Sequence, residues 1–307
     1  METSLVKLQN LVLQYDTDAN FANDYVSLMH RPSCLMENAP VLYDPEEKGH
    51  IIKKNAYVDF STYFNCLQLN NWKKHTNAAN FKLRFTFKGK ASIEIVEIFK
   101  NSQNVNRNII LHETISSNEK TEVTLNIPAS ERPLLGFAVT ALEDFHIYEG
   151  AYLAEVPTED VRSVRISLVS TTFRKEAYIL NNMEMLRNKV LCEGSELADS
   201  LFVHVIDNGR TLDAEELSGG KLKVYPNKNV GGAGGFSRGM MEALALDPQP
   251  DYVLLMDDDV LIIPESLFRT YYLLRIVKPE YYDCFVSGAM FDYDIRELQY
   301  EDVGYVH

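Results

Sequence analysis

Two rhythms of apolar residues divide the chain near residue 158. In FKLRFTFK (81–88), Phe81, Leu83, Phe85 and Phe87 alternate with Lys82, Arg84, Thr86 and Lys88. That period of two predicts a half-buried strand. Gly89 offers a turn, and SIEIVEIF (92–99) reads as the next strand. TEVTLNI (121–127) alternates again, and LLGFAVTAL (134–142) follows Pro128. No helical period shows between 57 and 155. Short strands parted by Asn, Ser, Gly and Pro predict an antiparallel β-sandwich, jelly-roll-like, over residues 1–158.

From 159 to 307 strands alternate with helices. VRISLVS (164–170), LFVHVI (201–206), KLKVY (221–225) and YVLLM (252–256) read as buried strands, with FVSGAM (285–290) as one more. Between them, EAYILNNMEMLRNKV (176–190) carries Ile179, Met183, Leu186 and Val190 at helical spacing. The segment after 230 places Phe236, Met240 and Leu244 on one helical face, and Pro264 suits the first turn of a helix running to 277. Strand–helix alternation predicts a mainly parallel α/β sheet, whose ligands bind beyond the carboxyl ends of its strands. The ending YEDVGYVH has no tail-like composition and reads as a chain that continues in a larger protein.

Composition narrows the function classes. The chain has 307 residues, enough for two domains, and a net charge of −14. The charge is uneven: residues 1–158 hold 15 Lys+Arg against 19 Asp+Glu, and 159–307 hold the remaining 15 against 25. Such a surface does not suit nucleic acid. A phosphorylated ligand on the acidic half would need a bridging cation. No apolar run reaches the roughly 20 residues of a membrane span, and METSLVKLQN lacks the pattern of a signal peptide. Cys34, Cys66, Cys192 and Cys284 are far apart, without CxxC spacing, and read as reduced core thiols of a cytoplasmic protein. The lone Trp72 reads first as core and second as a sugar-stacking platform.

Four segments carry candidate chemistry. Asp257, Asp258 and Asp259 follow a buried strand directly; a hard cation, Mn²⁺ or Mg²⁺, would relieve their mutual repulsion and neutralise a diphosphate. Alternate members, Asp257 and Asp259, could face one way and leave Asp258 for a sugar or ribose hydroxyl. The bland reading is a solvated acidic turn. NKNVGGAGGFSRGM (227–240) is neither a Walker loop nor a GxGxxG fingerprint. Its glycines, Gly232 among them, permit close backbone approach beside free helix-start amides, and otherwise make a flexible connection. Asn229 is the polar side chain there best placed to touch a ligand. Asp207 and Asn208 end another strand, where Asx residues also simply build turns. Thr172, Arg174 and Lys175 end the strand before 176, and either base could reach a phosphate or lie on the surface.

The set T-T-F, D-N-G, N-x-G-G-x-G-G-F-x-R-G and M-D-D-D resembles family 2 glycosyltransferases of the nucleotide-sugar-binding GT-A fold. It is similar to that of the bacterial galactofuranosyltransferases, including those that polymerise cell-wall galactan. Those enzymes also carry an N-terminal β-sandwich, as the strand-rich first half here would. The resemblance implies that Asp257 and Asp259 hold the metal on the diphosphate of a UDP-sugar and that Asp258 lies near the ribose or sugar. It places Asn229, Asp207 and Asn208, with Thr172 and Gly232, at the nucleotide. The family shows T-F-x-R where this chain has Thr172-Phe173-Arg174-Lys175, which leaves open which base contacts UDP. The implied reaction is inverting transfer of a hexose, galactofuranose first, to a growing glycan that could be lipid-linked, on the inner face of the cell membrane. The general base and a histidine metal ligand are expected beyond His307; neither Glu301 nor Asp302 is nominated. The alternatives are rhamnose or glucose specificity, or a carbohydrate-binding scaffold without turnover. The sandwich could position the acceptor or support a homo-oligomer.

Overall fold

The computed structural model describes residues 2–13, 26–32, 41–295 and 297–301; Cys34, Asp302 and His307 lie outside them. Two compact units emerge, Met1–Val161 with Ile276–His307, and Arg162–Arg275. The rhythm change in the sequence sits at 158, and residues 276–307 group with the first unit.

In the first unit, nine strands make one antiparallel sheet. They are β1 (Thr3–Asn10), β2 (Arg31–Pro32), β3 (Val41–Asp44), β4 (Gly49–Ile52), β5 (Tyr57–Asp59), β6 (Ala79–Asn101), β7 (Asn104–Asn126), β8 (Leu134–Ala141) and β9 (Phe145–Pro157). The pairing order is β2-β5-β8-β6-β9-β4-β3, with β1 beside β9 and β7 beside β6. The alternation in 81–88 is realised: Phe81, Leu83, Phe85 and Phe87 are buried. The predicted break at Gly89 is not. Residues 81–88 and 92–99 belong to one 23-residue strand that bends at Gly89. Before the bend β6 pairs with β9, and after it with β8. Gly89 has φ +104°, and a Cβ there would sit 2.5 Å from the Asp144 carbonyl oxygen, so only glycine fits the corner. Phe85 before the bend and Phe137 of β8 stack at 6.4 Å, and Phe60 stacks on Phe137 at 4.7 Å. The two arms of one folded sheet thus share a core, a sandwich-like arrangement made by long bent strands.

Helices α1 (Val26–Met29) and α2 (Leu69–His75) interrupt the strands, the second against the expectation of no helix between 57 and 155. Seven residues are too few to display a helical period; Leu69 and Trp72, buried at 1% and 8% exposure, fix α2 to the core. Among the described residues Cys66 and Cys192 are partly buried and Cys284 is exposed, so these thiols are less enclosed than core residues. Burial pushes the Cys66 thiol up to about 12.

The second unit holds a four-stranded parallel sheet: β10 (Ile166–Thr172), β11 (Leu201–Asp207), β12 (Leu222–Pro226) and β13 (Tyr252–Asp257), in the order β12-β11-β10-β13. Helix α3 (Glu176–Met185) runs into a π-helical turn over 186–190, and its predicted face of Ile179, Met183, Leu186 and Val190 is buried. A short α4 (Ala214–Leu217) is capped by the Asp213 side chain. Helices α5 (Gly231–Leu244) and α6 (Pro264–Ile276) follow. Leu168, Val203 and Val205 face α3 and the α6 residues Leu267, Tyr271 and Leu274. The opposite sheet face meets α5.

The predicted buried face of α5 is wrong in an instructive way. Gly235, Gly239 and Ala243 are buried, while Phe236 and Met240 are half-buried and Leu244 is exposed. A Cβ on Gly235 would lie 2.0 Å from Thr171 Oγ1, and one on Gly239 2.1 Å from Val169 Cγ1. Backbone, not side chains, packs on the sheet, which a hydrophobic count cannot register. The predicted strand at 285–290 is also absent. Only Met290–Phe291 (β14) pairs, with Gln299–Glu301 (β15), and Phe285 is fully exposed, so no burial extends that run.

Three buried histidines set a pH limit on both units. His30 and His50 in the first, and His204 in the second, are held down to about 4 from the usual 6.5, chiefly because burial disfavours the cation. The unfolded chain therefore binds more protons between about pH 4 and 6.5, and stability falls as pH drops through that window and is complete above it. Each histidine is expected to cost up to roughly 2 kcal/mol by pH 5. Urea unfolding at pH 7.5 and pH 5 checks this, and equal midpoints would contradict it.

Candidate functional site

Strand order fixes where a ligand can sit. From β10 the chain steps to β11 and β12 on one side and then returns to β13 on the other, so the order reverses between β10 and β13. Helices α3 and α6, which follow these two strands, pack on the same face of the sheet, and the loops that lead into them meet beyond the carboxyl ends, where ligands of such sheets bind. The strands end together: Thr172 pairs with Asp207, Asp207 with Pro226, and Thr171 with Asp257. Every residue singled out in the sequence therefore lies at, or one turn beyond, the same edge.

At the reversal, Lys175 joins the two loops. Its Nζ donates to Asp259 Oδ2 and lies 3.9 Å from Asp258 Oδ1. The Asp259 carboxylate raises the lysine pKa, and the ammonium lowers that of Asp259. Arg174 instead has φ +56° and its guanidinium 5.2 Å from the Phe173 ring. Of the two bases, it is Lys175 that reaches the aspartates. Asp257 and Asp259 are exposed while Asp258 is buried, at 8% exposure. The alternation expected of consecutive residues after a strand is thus present.

Asn182 was not picked out from the sequence. Buried at 2% exposure on α3, it donates from Nδ2 to the carbonyls of Val260 at 2.8 Å and Asp258 at 3.3 Å. It fixes the backbone of the aspartate turn. A polar residue inside the apolar stripe between Ile179 and Met183 was the available signal.

Asp207 and Asn208 are spent largely on the loops themselves. Fully buried, Asp207 accepts three backbone N–H bonds, from Gly209 at 2.9 Å, Thr211 at 2.7 Å and Leu212 at 2.8 Å. Asn208 Nδ2 donates to Thr171 Oγ1 at 3.3 Å and the Gly231 carbonyl at 3.2 Å, while Oδ1 accepts from Asn227 Nδ2 at 2.8 Å. One amide therefore ties the ends of β10 and β12 to the start of α5. Thr172 and Ser170 carry buried hydroxyls without a hydrogen-bond partner, at the strand end where a ligand could supply one.

The glycine stretch is helix rather than loop from Gly231 onward. Gly231, with φ +75°, makes the bend into it, and its N–H donates to Asn229 Oδ1 at 3.1 Å. Gly232 is open to solvent, with nothing near its Cβ position. Arg238 is paired with Glu242 one turn on. Backbone amides of the first turn of α5 thus face the same edge as the aspartates, with no side-chain cap on them other than Asn229.

The donor set can be tested against a divalent metal. Asp259 already holds a cationic group, and Asp257 stands exposed two residues away. These carboxylates suit a hard cation, and a diphosphate would supply further oxygens. Among the described residues, no three of His, Cys, Asp and Glu converge as a metal-holding group.

Residues 39–155 match the family model described as galactofuranosyltransferase 2 N-terminal. The Galactofuranosyltransferase GlfT2 of Mycobacterium tuberculosis is 24% identical over 253 residues, and that of Mycolicibacterium smegmatis 25% over 254. Each alignment covers 78% of this chain and 38% of the relative, so the chain spans well under half the length of the curated relatives it matches. Among solved structures, the CBM22-1–GH10 modules of Clostridium thermocellum xylanase 10B, with xylohexaose, align at TM-score 0.30 and 9% identity, over 66% of this chain and 38% of that one. A family 6 carbohydrate-binding module aligns at 0.25 and 12%, over 48% and 92%. The sequence matches support a relationship to the galactofuranosyltransferases. No helix among the described residues is long and apolar enough to cross a membrane.

Proposed function

We propose that the chain is the donor-binding part of a galactofuranosyltransferase, with a GT-A-type second unit that binds a UDP-sugar and transfers its hexose with inversion to a growing glycan. The observation that carries this reading is the convergence of Thr172, Lys175, Asn208, Asn229 and the three aspartates on one carboxyl edge, at the reversal of strand order. Similarity to galactofuranosyltransferases over 78% of the chain supports the sugar.

In this reading Asp257 and Asp259 hold Mn²⁺ or Mg²⁺. The metal would stabilise the charge that grows on the departing UDP. Lys175, whose ammonium is paired with Asp259, would be displaced by a metal on that carboxylate and would then be free to pair with the phosphates. The first-turn amides of α5, at Gly232 and after, donate to an anion as helix starts do. Asn229 and Asn208 border the nucleotide, Asp258 faces a ribose or sugar hydroxyl, and Asp207 acts by keeping its loop in shape. The Thr172 hydroxyl, buried at the end of β10, would reach the donor only if the strand end shifted. The acceptor would be a glycan, lipid-linked and met at the membrane surface.

A donor panel tests the specificity: UDP-galactofuranose, UDP-glucose and dTDP-rhamnose, each with Mn²⁺, in hydrolysis and transfer assays on the longest chain that carries these residues. UDP-galactofuranose is expected to be turned over at least tenfold faster than either rival. Preference for dTDP-rhamnose would overturn the donor, and glycan binding without turnover of any donor would favour a binding scaffold.

A further inference from the structure

The first unit holds a second candidate site, built from residues other than those of the carboxyl edge. A cavity of about 540 Å³ opens beside the sheet, within the range of small-ligand sites, roughly 300–1,000 Å³. Its floor comes from β6, β7 and β9, and its wall from the β3–β4 hairpin, which contributes Tyr43 and Lys48. Gly150 lies in the floor, where a Cβ would fall 2.7 Å from the Arg84 carbonyl oxygen and from Leu11 Cδ1, so glycine is required for β6 and β9 to approach this closely.

The lining selects a class of ligand. Lys7, Lys48 and Arg84 face Glu122 and Glu149 in one cavity. Mixed signs make no strong field for an anion or a cation. Arg84 Nε lies 3.6 Å from Glu122 Oε2, so this pair balances itself while keeping donor and acceptor groups for hydroxyls. The Tyr43 ring is 44% exposed and braced against His50 at 5.3 Å, an apolar plate with a polar tip. Charge-balanced donors and acceptors beside an aromatic plate are the complement of a sugar, whose ring has a C–H face and a rim of hydroxyls.

The geometry points to a binding site for a neutral oligosaccharide in this cavity. In the setting of the proposed function, and resting on it for this point alone, the oligosaccharide is a stretch of the growing glycan, held by residues that take no part in binding the donor. Holding the polymer at a second point raises its effective concentration at the first.

Calorimetric titration of a galactofuranose tetrasaccharide into the intact chain, without nucleotide, tests the site. Binding is expected, weakened at least tenfold by Tyr43→Ala and by Glu122→Gln. Both residues are substantially exposed, so the fold should survive, and unchanged urea midpoints would check that. Absence of binding, or equal binding by both variants, overturns the site, as does loss of sugar binding in Asp257→Ala plus Asp259→Ala. UDP titrated with Mn²⁺ into the same samples separates the two proposals. Retained UDP binding without sugar binding sinks the cavity alone, and sugar binding without UDP binding sinks the donor site alone.

Discussion

Asp207→Ala is expected to destabilise the second unit by about 3 kcal/mol, far beyond an ordinary surface change. The carboxylate is fully buried and accepts the N–H groups of Gly209, Thr211 and Leu212. Alanine removes the acceptor and leaves three N–H groups unpaired, that of Leu212 buried and those of Gly209 and Thr211 part-buried; an unpaired buried group costs about 1–3 kcal/mol, and water recovers much of the cost at the other two. Asp207→Asn keeps one oxygen and should cost about half as much. Urea unfolding of the three proteins at pH 7.5 gives the comparison. If Asp207 were primarily a nucleotide ligand, the alanine variant would keep its stability and lose only UDP affinity. An undiminished midpoint would therefore refute the loop-building role.

Gly239→Ala should destabilise by about 1–3 kcal/mol, and Gly235→Ala by a similar amount. The sign is the test. On an open helix face, glycine to alanine stabilises by about 1 kcal/mol, because glycine loses more backbone entropy on folding. Here the new methyl would meet Val169 Cγ1 at 2.1 Å or Thr171 Oγ1 at 2.0 Å. Both are side chains branched at Cβ on the central strand β10, which cannot swing away. Gly232→Ala is the internal control, since nothing lies near that position. It should be neutral or stabilising. Thermal melts of the three variants decide, and stabilisation by Gly239→Ala would mean that α5 does not lie this close to the sheet.

Each strand of the parallel sheet was legible in the sequence to within two residues, because a buried parallel strand is a continuous apolar run between polar loops. The carboxyl-edge location of Thr172, Asp207 and Asp257 followed from that. The buried face of α5 did not, since glycines that pack by backbone carry no hydrophobic signal. Gly89 was equally ambiguous: a positive φ serves a turn or a bend, and only the pairing of β6 with both β9 and β8 tells them apart. Asp207 looked like a ligand because a strand-end aspartate suits both roles, and its three backbone donors come from residues whose positions only the folded loop fixes. Lys175 and Arg174 were indistinguishable as neighbours in sequence until the left-handed turn at Arg174 sent them apart.

Calorimetric titration of UDP into the chain with Mn²⁺, without it, and with Mn²⁺ in Asp257→Ala plus Asp259→Ala bears most directly on the carboxyl-edge donor site. The account predicts binding that needs the metal and falls at least a hundredfold in the double variant. UDP binding of equal strength without metal, or undiminished in the variant, would contradict it.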